Sequence, residues 1–320
     1  MKRILKILSV VVAVVIVAGI AIGLRPYTHA FGSVFQSRYR SSAASAPGPA
    51  TSAFSAVSST VTPLQAPTPA AYAAGQVTEH GGTLATLGLG DSVPQGGTCT
   101  GCTTFIERVG TDMARKAGVK AAVHNESVSG YKTADLLTQL ESNNAKALLA
   151  TSDLAIVTIG ANDFDLDTMV GQCAHSDASC IADDVNGVTD RVRTILERVK
   201  AAMKTPRATV VVTGYWDVGL DGKAGRENGP DYVKVTDMIT EAFNANVKKI
   251  AHEVGAVYVD FRTPFRGADG TRDDTALLTD DGDHPSEQGH KVLAEAVEAA
   301  LSCSPAVARD AQDGVFCAGA

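Results

Sequence analysis

From about Gln76 onward, short runs rich in β-branched and small apolar residues alternate with longer amphipathic stretches, and this alternation is the strongest constraint on the fold. The runs Leu84 to Leu89, Ala121 to Glu126, Leu154 to Ile159, Thr209 to Thr213 and Ala256 to Val259 read as strands. The stretches Thr104 to Lys116, Thr133 to Leu149, Ile181 to Lys204, Tyr232 to Val254 and Glu287 to Leu301 read as helices. In the last of these, Val292, Leu293, Ala296, Val297 and Leu301 form one apolar stripe at helical spacing. Strand and helix in alternation predict parallel strands joined by right-handed crossovers, an α/β protein built as a three-layer α/β/α sandwich. Ligands of such sheets bind beyond the carboxyl ends of the strands. Asp91-Ser92, Gly130 and Asn162 each follow a predicted strand, which assigns them to that one edge.

The chain ahead of this region has a different composition. Residues 1–78 contain no Asp or Glu and six Lys or Arg, whereas the chain from Glu79 onward holds all 35 acids and the other 22 basic residues, a net charge near −13. An acidic body lacks the clustered Lys and Arg that phosphate backbones require, so nucleic acid is not an expected partner. Lys2, Arg3 and Lys6 precede an uncharged stretch, Ile7 to Leu24. As a helix it would measure ~27 Å against a hydrocarbon core of ~30 Å. Residues 1–25 are therefore expected to be a membrane anchor or a signal peptide. The anchor is favoured because the run exceeds the ~7 to 15 residues of a signal-peptide core and Thr28-His29-Ala30 is a poor cleavage site. The basic N-terminus orients the body outside the cytoplasm. Residues 26–75, Ala/Ser/Pro-rich with Pro47, Pro49, Pro63, Pro67 and Pro69, read as a flexible linker, and residues 76–320 as one domain. Such a tether has an r.m.s. reach of ~30 to 35 Å. Membrane contact is expected through the N-terminal segment only, and the chain is expected to be a monomer.

Six cysteines follow, grouped as Cys99 with Cys102, Cys173 with Cys180 and Cys303 with Cys317. Local pairing is the simplest expectation, although six cysteines permit 15 connectivities. Closing the loop between Cys303 and Cys317 would contribute ~3 kcal/mol in the chain-entropy model.

The chemistry-bearing residues are a serine in Gly90-Asp91-Ser92, and an acid and a histidine in Asp281-Gly282-Asp283-His284-Pro285. A serine hydroxyl is a poor nucleophile until a base takes its proton, and a histidine is a poor base until a carboxylate fixes its tautomer and steadies the imidazolium. Taken alone, Gly-Asp-Ser is an ordinary turn sequence. It is not the Gly-x-Ser-x-Gly elbow, since Pro94 stands where the last glycine would be. The Asp-rich run from Asp273 to Asp283 reads alone as a solvated loop or a weak calcium site, without EF-hand spacing.

Four motifs in this order, Gly90-Asp91-Ser92, Asn125-x4-Gly130, Gly160-x-Asn162-Asp163 and Asp281-x-x-His284, resemble the SGNH (GDSL-type) hydrolase family over about Leu84 to Leu301. The insert Gly96 to Cys102 resembles that of exported actinobacterial members, in which cysteines brace the loop after the nucleophile. The one departure is Val93, where the family has leucine. The resemblance implies the SGNH fold on a parallel, five-stranded, flavodoxin-like sheet. It implies a serine ester hydrolase (esterase, lipase or acylhydrolase) working outside the cytoplasm through an acyl-enzyme. Ser92 is then the nucleophile, His284 the base and Asp281 the residue orienting it. The backbone N–H groups of Ser92 and Gly130 and the side-chain amide of Asn162 form the oxyanion hole, where one donor is worth ~3 to 4 kcal/mol of barrier. Glycine suits position 130 because no Cβ blocks the approach of substrate. The implied substrate is a small-molecule or glycan ester, with no cofactor and no metal.

Other readings remain open at the level of sequence. A carbohydrate O-acyl esterase or an acyltransferase on cell-wall glycans keeps the chemistry and changes the substrate or acceptor. A thiol-disulfide oxidoreductase using Cys99 and Cys102, or a non-catalytic cell-wall binding module, changes the class. Tyr215 and Trp216 follow the fourth strand, either walling the substrate edge or packing inside. His80, His124, His175, His252 and His290 read as surface or capping residues, and the Asn125-Glu126-Ser127 sequon as chance. Phe261 to Leu278 reads as an irregular lid that limits acyl or sugar size.

Overall fold

A computed structural model of the protein describes residues 82–205 and 207–303. The expected N-terminal anchor, the linker and the Cys303–Cys317 pairing lie outside the described residues. In chain order the elements are β1 (Thr83–Gly90), α1 (Ser92–Gln95), α2 (Phe105–Ala117), β2 (Lys120–Asn125), α3 (Thr133–Gln139), α4 (Asn143–Thr151) and β3 (Leu154–Thr158). They continue with α5 (Leu166–Cys173), α6 (Ala182–Ala202), β4 (Thr209–Thr213), α7 (Gly222–Glu227), α8 (Pro230–Val254), β5 (Val257–Val259), α9 (Arg262–Arg266) and α10 (Glu287–Cys303). The five strands pair in parallel in the order β2-β1-β3-β4-β5.

This order places a topological switch between β1 and β3. The chain steps to one side of β1 to make β2 and to the other side for β3 to β5. Right-handed crossovers therefore send α2 to one face and α3, α4, α6 and α8 to the other. α10 packs on α2, and α6 packs on α8. β3 and β4 are buried along their whole length, as central parallel strands covered on both faces must be. Leu84, Leu87, Leu89, Ile156 and Val211 fill the sheet, and Phe105, Ile106, Val192, Ile195, Phe243 and Leu293 come down on it from the helices, each at most 1% exposed. Each such side chain removed from water stabilises the fold by ~1.5 to 3 kcal/mol.

The helix ends follow local chemistry. α2 opens on Thr104, whose hydroxyl accepts from the Glu107 N–H while the Glu107 carboxylate accepts from the Thr104 N–H, and it closes on left-handed Gly118. The stretch Thr133 to Leu149, expected as one helix, is two, because Ser142 accepts from the Ala145 N–H at 3.1 Å and starts α4 afresh. The short α1, α5, α7 and α9 were not expected from periodicity. The region Phe261 to Leu278 differs from an irregular lid. It contains α9, Phe265 stacks on Trp216 with ring centroids 4.5 Å apart, and Arg266 is buried. The Arg266 guanidinium reaches Asp221 at 2.7 Å, Asp237 at 3.4 Å and Asp217 at 3.5 Å.

Candidate active site

β1 ends in a sharp exit. Gly90 has φ +143°, and a Cβ there would overlap the Thr158 carbonyl, so only glycine lets β1 turn out this close to β3. The next residue, Asp91, donates its N–H to Thr158 O at 3.1 Å, and its carboxylate accepts the Val93 N–H at 3.0 Å, capping α1. Ser92 thus becomes the first residue of α1, only 9% exposed. Asn125, at the end of β2, braces this turn by donating to Pro94 O at 2.7 Å. Its amide is part-buried and engaged, in keeping with a sequon that arises by chance. The Tyr215 hydroxyl donates to the second Asp91 oxygen. Burial pushes the Asp91 carboxyl up to about 7, against the opposing pull of the Tyr215 and Val93 donors.

In front of Ser92 lies a cavity of about 260 Å³, walled by Asn162, Phe164, Trp216, Val218 and Asp283 among others. Asn162 sits in a single 3₁₀ turn, Ala161–Asp163, directly beyond β3. Its amide donates to Tyr131 O at 3.0 Å, linking it to the turn after β2 that carries Gly130. Gly130 is exposed with φ +80° and open space around its Cα. The turn is fixed from below by Asp163, which accepts the Thr133 N–H at 2.8 Å and pairs with Arg191 at 3.0 Å. Ser92, Gly130 and Asn162 therefore do share one sheet edge, at the switch point.

The acid and the histidine come from the loop before α10. Thr279 N–H donates to His284 O at 2.8 Å and Gly282 N–H to Thr279 O at 3.0 Å, closing the loop into a tight turn. His284 Nδ1 lies 2.8 Å from Asp281 Oδ2. Burial of Asp281 opposes its charge, but hydrogen bonds from Thr98, the Asp283 N–H, Thr279 and His284 hold it well below the ordinary carboxylate range. Asp283 faces the other ring nitrogen, its Oδ2 3.7 Å from His284 Nε2. That Nε2 is buried without a hydrogen-bond partner, and among the described residues the Ser92 hydroxyl makes no hydrogen bond. The structure thus brings Asp281 and His284 into contact and leaves the serine hydroxyl and His284 Nε2 without a hydrogen bond among the described residues.

Several functional contacts had no sequence signal. Gly97 packs on the imidazole so closely that a Cβ would overlap His284 Cδ2, and Thr98 Oγ1 donates to Asp281 Oδ2 at 2.6 Å. Both residues belong to the loop in which Cys99 lies at disulfide distance from Cys102, with Cα atoms 5.6 Å apart. Cys173 and Cys180 are likewise close, at 5.7 Å. Tyr215 and Trp216 are both buried; Trp216 nonetheless borders the cavity from within the core, so packing and wall coincide. The region Phe261 to Leu278 contributes nothing to the cavity wall. His290 is not a surface residue. It is fully buried, accepts the Phe105 N–H at 3.3 Å, and burial drives it down to about 4. Among the described residues no cluster of His, Cys, Asp and Glu is arranged to hold a metal ion, and no helix is long and apolar enough to cross a membrane.

Comparison with known proteins places this geometry. Residues 89–292 match the GDSL-like lipase/acylhydrolase family. No curated protein matches the chain by sequence. Among solved structures, a lipase from a goat rumen metagenome superposes with a TM-score of 0.55 at 19% identity, over 68% of this chain and 97% of its own. Phospholipase A1 from Streptomyces albidoflavus gives 0.48 at 20% identity, over 70% and 99%. An acetylxylan esterase from Geobacillus stearothermophilus gives 0.47 at 21%, over 69% and 94%. The first superposition carries the fold, and the family match, spanning well over half of the chain, carries the chemistry: this protein belongs to the GDSL-like lipase/acylhydrolase family and is an ester hydrolase.

Proposed function

We propose that the chain hydrolyses small esters through Ser92, His284 and Asp281 by way of an acyl-enzyme, outside the cytoplasm. One observation carries this reading: His284 is tied by Nδ1 to Asp281 Oδ2 at 2.8 Å while its Nε2 is buried without a hydrogen-bond partner, the Asp283 carboxylate standing off at 3.7 Å. An imidazole so held has its proton fixed on Nδ1 and a lone pair on Nε2, the form a general base needs.

In the first half-reaction the Ser92 Oγ attacks the ester carbonyl and its proton passes to His284 Nε2. The oxyanion is received by the N–H groups of Ser92 and Gly130 and by the Asn162 amide, whose second N–H is left over from its bond to Tyr131. Collapse breaks the ester C–O bond, and the alcohol leaves with the proton from Nε2. Water, deprotonated by the same nitrogen, then releases the acid and restores Ser92. A cavity of about 260 Å³ favours a short acyl group. The basic, acid-free N-terminal region supports a membrane-anchored or secreted enzyme, and the proximity of Cys99 to Cys102 and of Cys173 to Cys180 supports disulfides formed in an oxidising compartment.

Hydrolysis of p-nitrophenyl acetate, butyrate and octanoate by the full-length chain in detergent, beside Ser92→Ala, tests the reading. Turnover falling from acetate to octanoate and absent in the variant is expected. Ester turnover that persists in Ser92→Ala would remove the serine from its role.

A further inference from the structure

Asp281 is held from two sides. Its own loop supplies three donors to Oδ1: Thr279 Oγ1 at 2.7 Å, Asp283 N at 2.9 Å and His284 N at 3.0 Å. The other oxygen, Oδ2, is the one bonded to His284 Nδ1, and it takes a further hydrogen bond at 2.6 Å from Thr98 Oγ1. Thr98 lies 183 positions away, in the loop beyond α1, and its side chain is exposed. In the same loop Gly97 presses on the far flank of the imidazole. The loop is a string of tight turns, Cys99 N–H to Gly96 O at 3.0 Å and Cys102 N–H to Cys99 O at 3.1 Å, closed by the Cys99–Cys102 approach.

We propose that Thr98 is a positioning residue for ester hydrolysis: its hydroxyl fixes Asp281 Oδ2, and through it the His284 ring, with the Cys99–Cys102 clasp keeping Thr98 within reach. The inference rests on the Ser92–His284–Asp281 reading. Both oxygens turn together about the last side-chain torsion of an aspartate, which is broad, so the three loop donors on Oδ1 and the Thr98 donor on Oδ2 resist the same rotation from opposite ends of the carboxylate. The Thr98 donor also takes up part of the charge that Oδ2 presents to the imidazole, whose other nitrogen faces Asp283 Oδ2 at 3.7 Å. Thr98 does not border the cavity in front of Ser92, so its effect falls on turnover and not on substrate binding.

The test is Thr98→Val, which keeps the branched shape and deletes the donor, beside Thr98→Ser, which keeps the donor. On p-nitrophenyl acetate, valine is expected to lower kcat about 10-fold with KM unchanged, and to move the acid limb of kcat/KM to higher pH as the uncompensated carboxylate strengthens the imidazolium. Serine is expected to restore both. The double variant Cys99→Ser, Cys102→Ser, which opens the clasp, should fall between parent and valine with the same displacement of the limb. Parent-like kcat and pH profile in Thr98→Val would overturn the inference, and so would a loss of kcat that leaves the limb in place and is not rescued by serine, since that is mere packing. Should the valine protein lose its circular dichroism signature, Thr98→Ala against Thr98→Ser carries the same comparison. Ser92→Ala run in parallel separates the two layers. Activity persisting there overturns the site assignment, whereas activity lost there and intact in Thr98→Val overturns only the role of Thr98.

Discussion

Asp281 and Asp274 lie seven residues apart in the same stretch before α10, and they are opposites. Asp281 is partly exposed, accepts hydrogen bonds on both oxygens, and is held well below the usual carboxylate range. Asp274 is 2% exposed, neither carboxyl oxygen finds a donor among the described residues, and burial followed by repulsion from Asp221 pushes it up to about 7. The two share a residue type and nearly a position, so the difference lies in the supply of donors. A carboxylate stays charged where N–H and O–H groups converge on it, and takes up a proton where it meets another carboxyl in the dark of the core. The end of the stretch that carries His284 has been wired for charge; the end that carries Asp274 has been starved of donors.

The largest effect should come from breaking the wired end. Asp281→Asn keeps the shape but puts an amide opposite His284 Nδ1, which no longer fixes the proton there. By analogy with serine-triad enzymes, kcat should fall ~10³- to 10⁴-fold. Single-turnover and steady-state rates on p-nitrophenyl acetate read this directly. A loss below tenfold would mean that His284 works as a base without the carboxylate, and the contrast with Asp274 would lose its catalytic meaning. Next in size is Gly97→Ala. The added Cβ would overlap His284 Cδ2, and φ at this residue is +48°. The ring must tilt from Asp281 or the loop must lift. Displacing a catalytic group by ~1 Å costs about 10²-fold in rate, while the melting temperature should change little because the position lies in a surface loop. If Gly97→Ala matches the parent in kcat, the loop is soft and cannot be what holds the imidazole edge.

Much of this was legible in the chain. Leu154 to Thr158 and Thr209 to Thr213 are uninterrupted buried runs, and such runs bounded by turn residues announce themselves. The three-residue step from Asp281 to His284 lies within one turn, so spacing alone predicts that they can meet. What could not be read are contacts made across the fold. Thr98 meets Asp281 over 183 residues and Tyr215 meets Asp91 over 124, and no local pattern marks either threonine or tyrosine as a partner. The region Phe261 to Leu278 misled for a related reason. Its proline and two glycines read as an open loop, but Phe265 and Arg266 are buried anchors whose partners, Trp216 and Asp221, lie on a different connection. The split between α3 and α4 turns on Ser142, whose cap competes with a helical pattern that otherwise runs on.

The smallest effect, and the one that addresses the starved end, is on stability. Asp274 has a folded value near 7 and an ordinary value of 3.8. Below 3.8 it is protonated both folded and unfolded, and burial of the neutral acid costs nothing that depends on pH. Between 3.8 and 7 the unfolded chain ionises while the folded protein keeps its proton, so the folded state loses ground as pH rises, and above 7 the loss levels off. Asp274→Asn removes that slope, because an amide stays neutral at every pH. The variant should match the parent near pH 4, gain through the interval, and at pH 8 be the more stable of the two, read as a shift in the urea midpoint at unchanged m-value. Parallel pH dependences in parent and variant would mean that Asp274 finds its compensation elsewhere. Arg266 is already committed to Asp217, Asp221 and Asp237, the last of which also pairs with Arg262 at 2.8 Å, so Arg266→Met in the Asp274→Asn background tests whether Arg266 compensates Asp274: if it does, the asparagine softens the cost of losing the arginine, and if it serves the other three acids, that cost is undiminished.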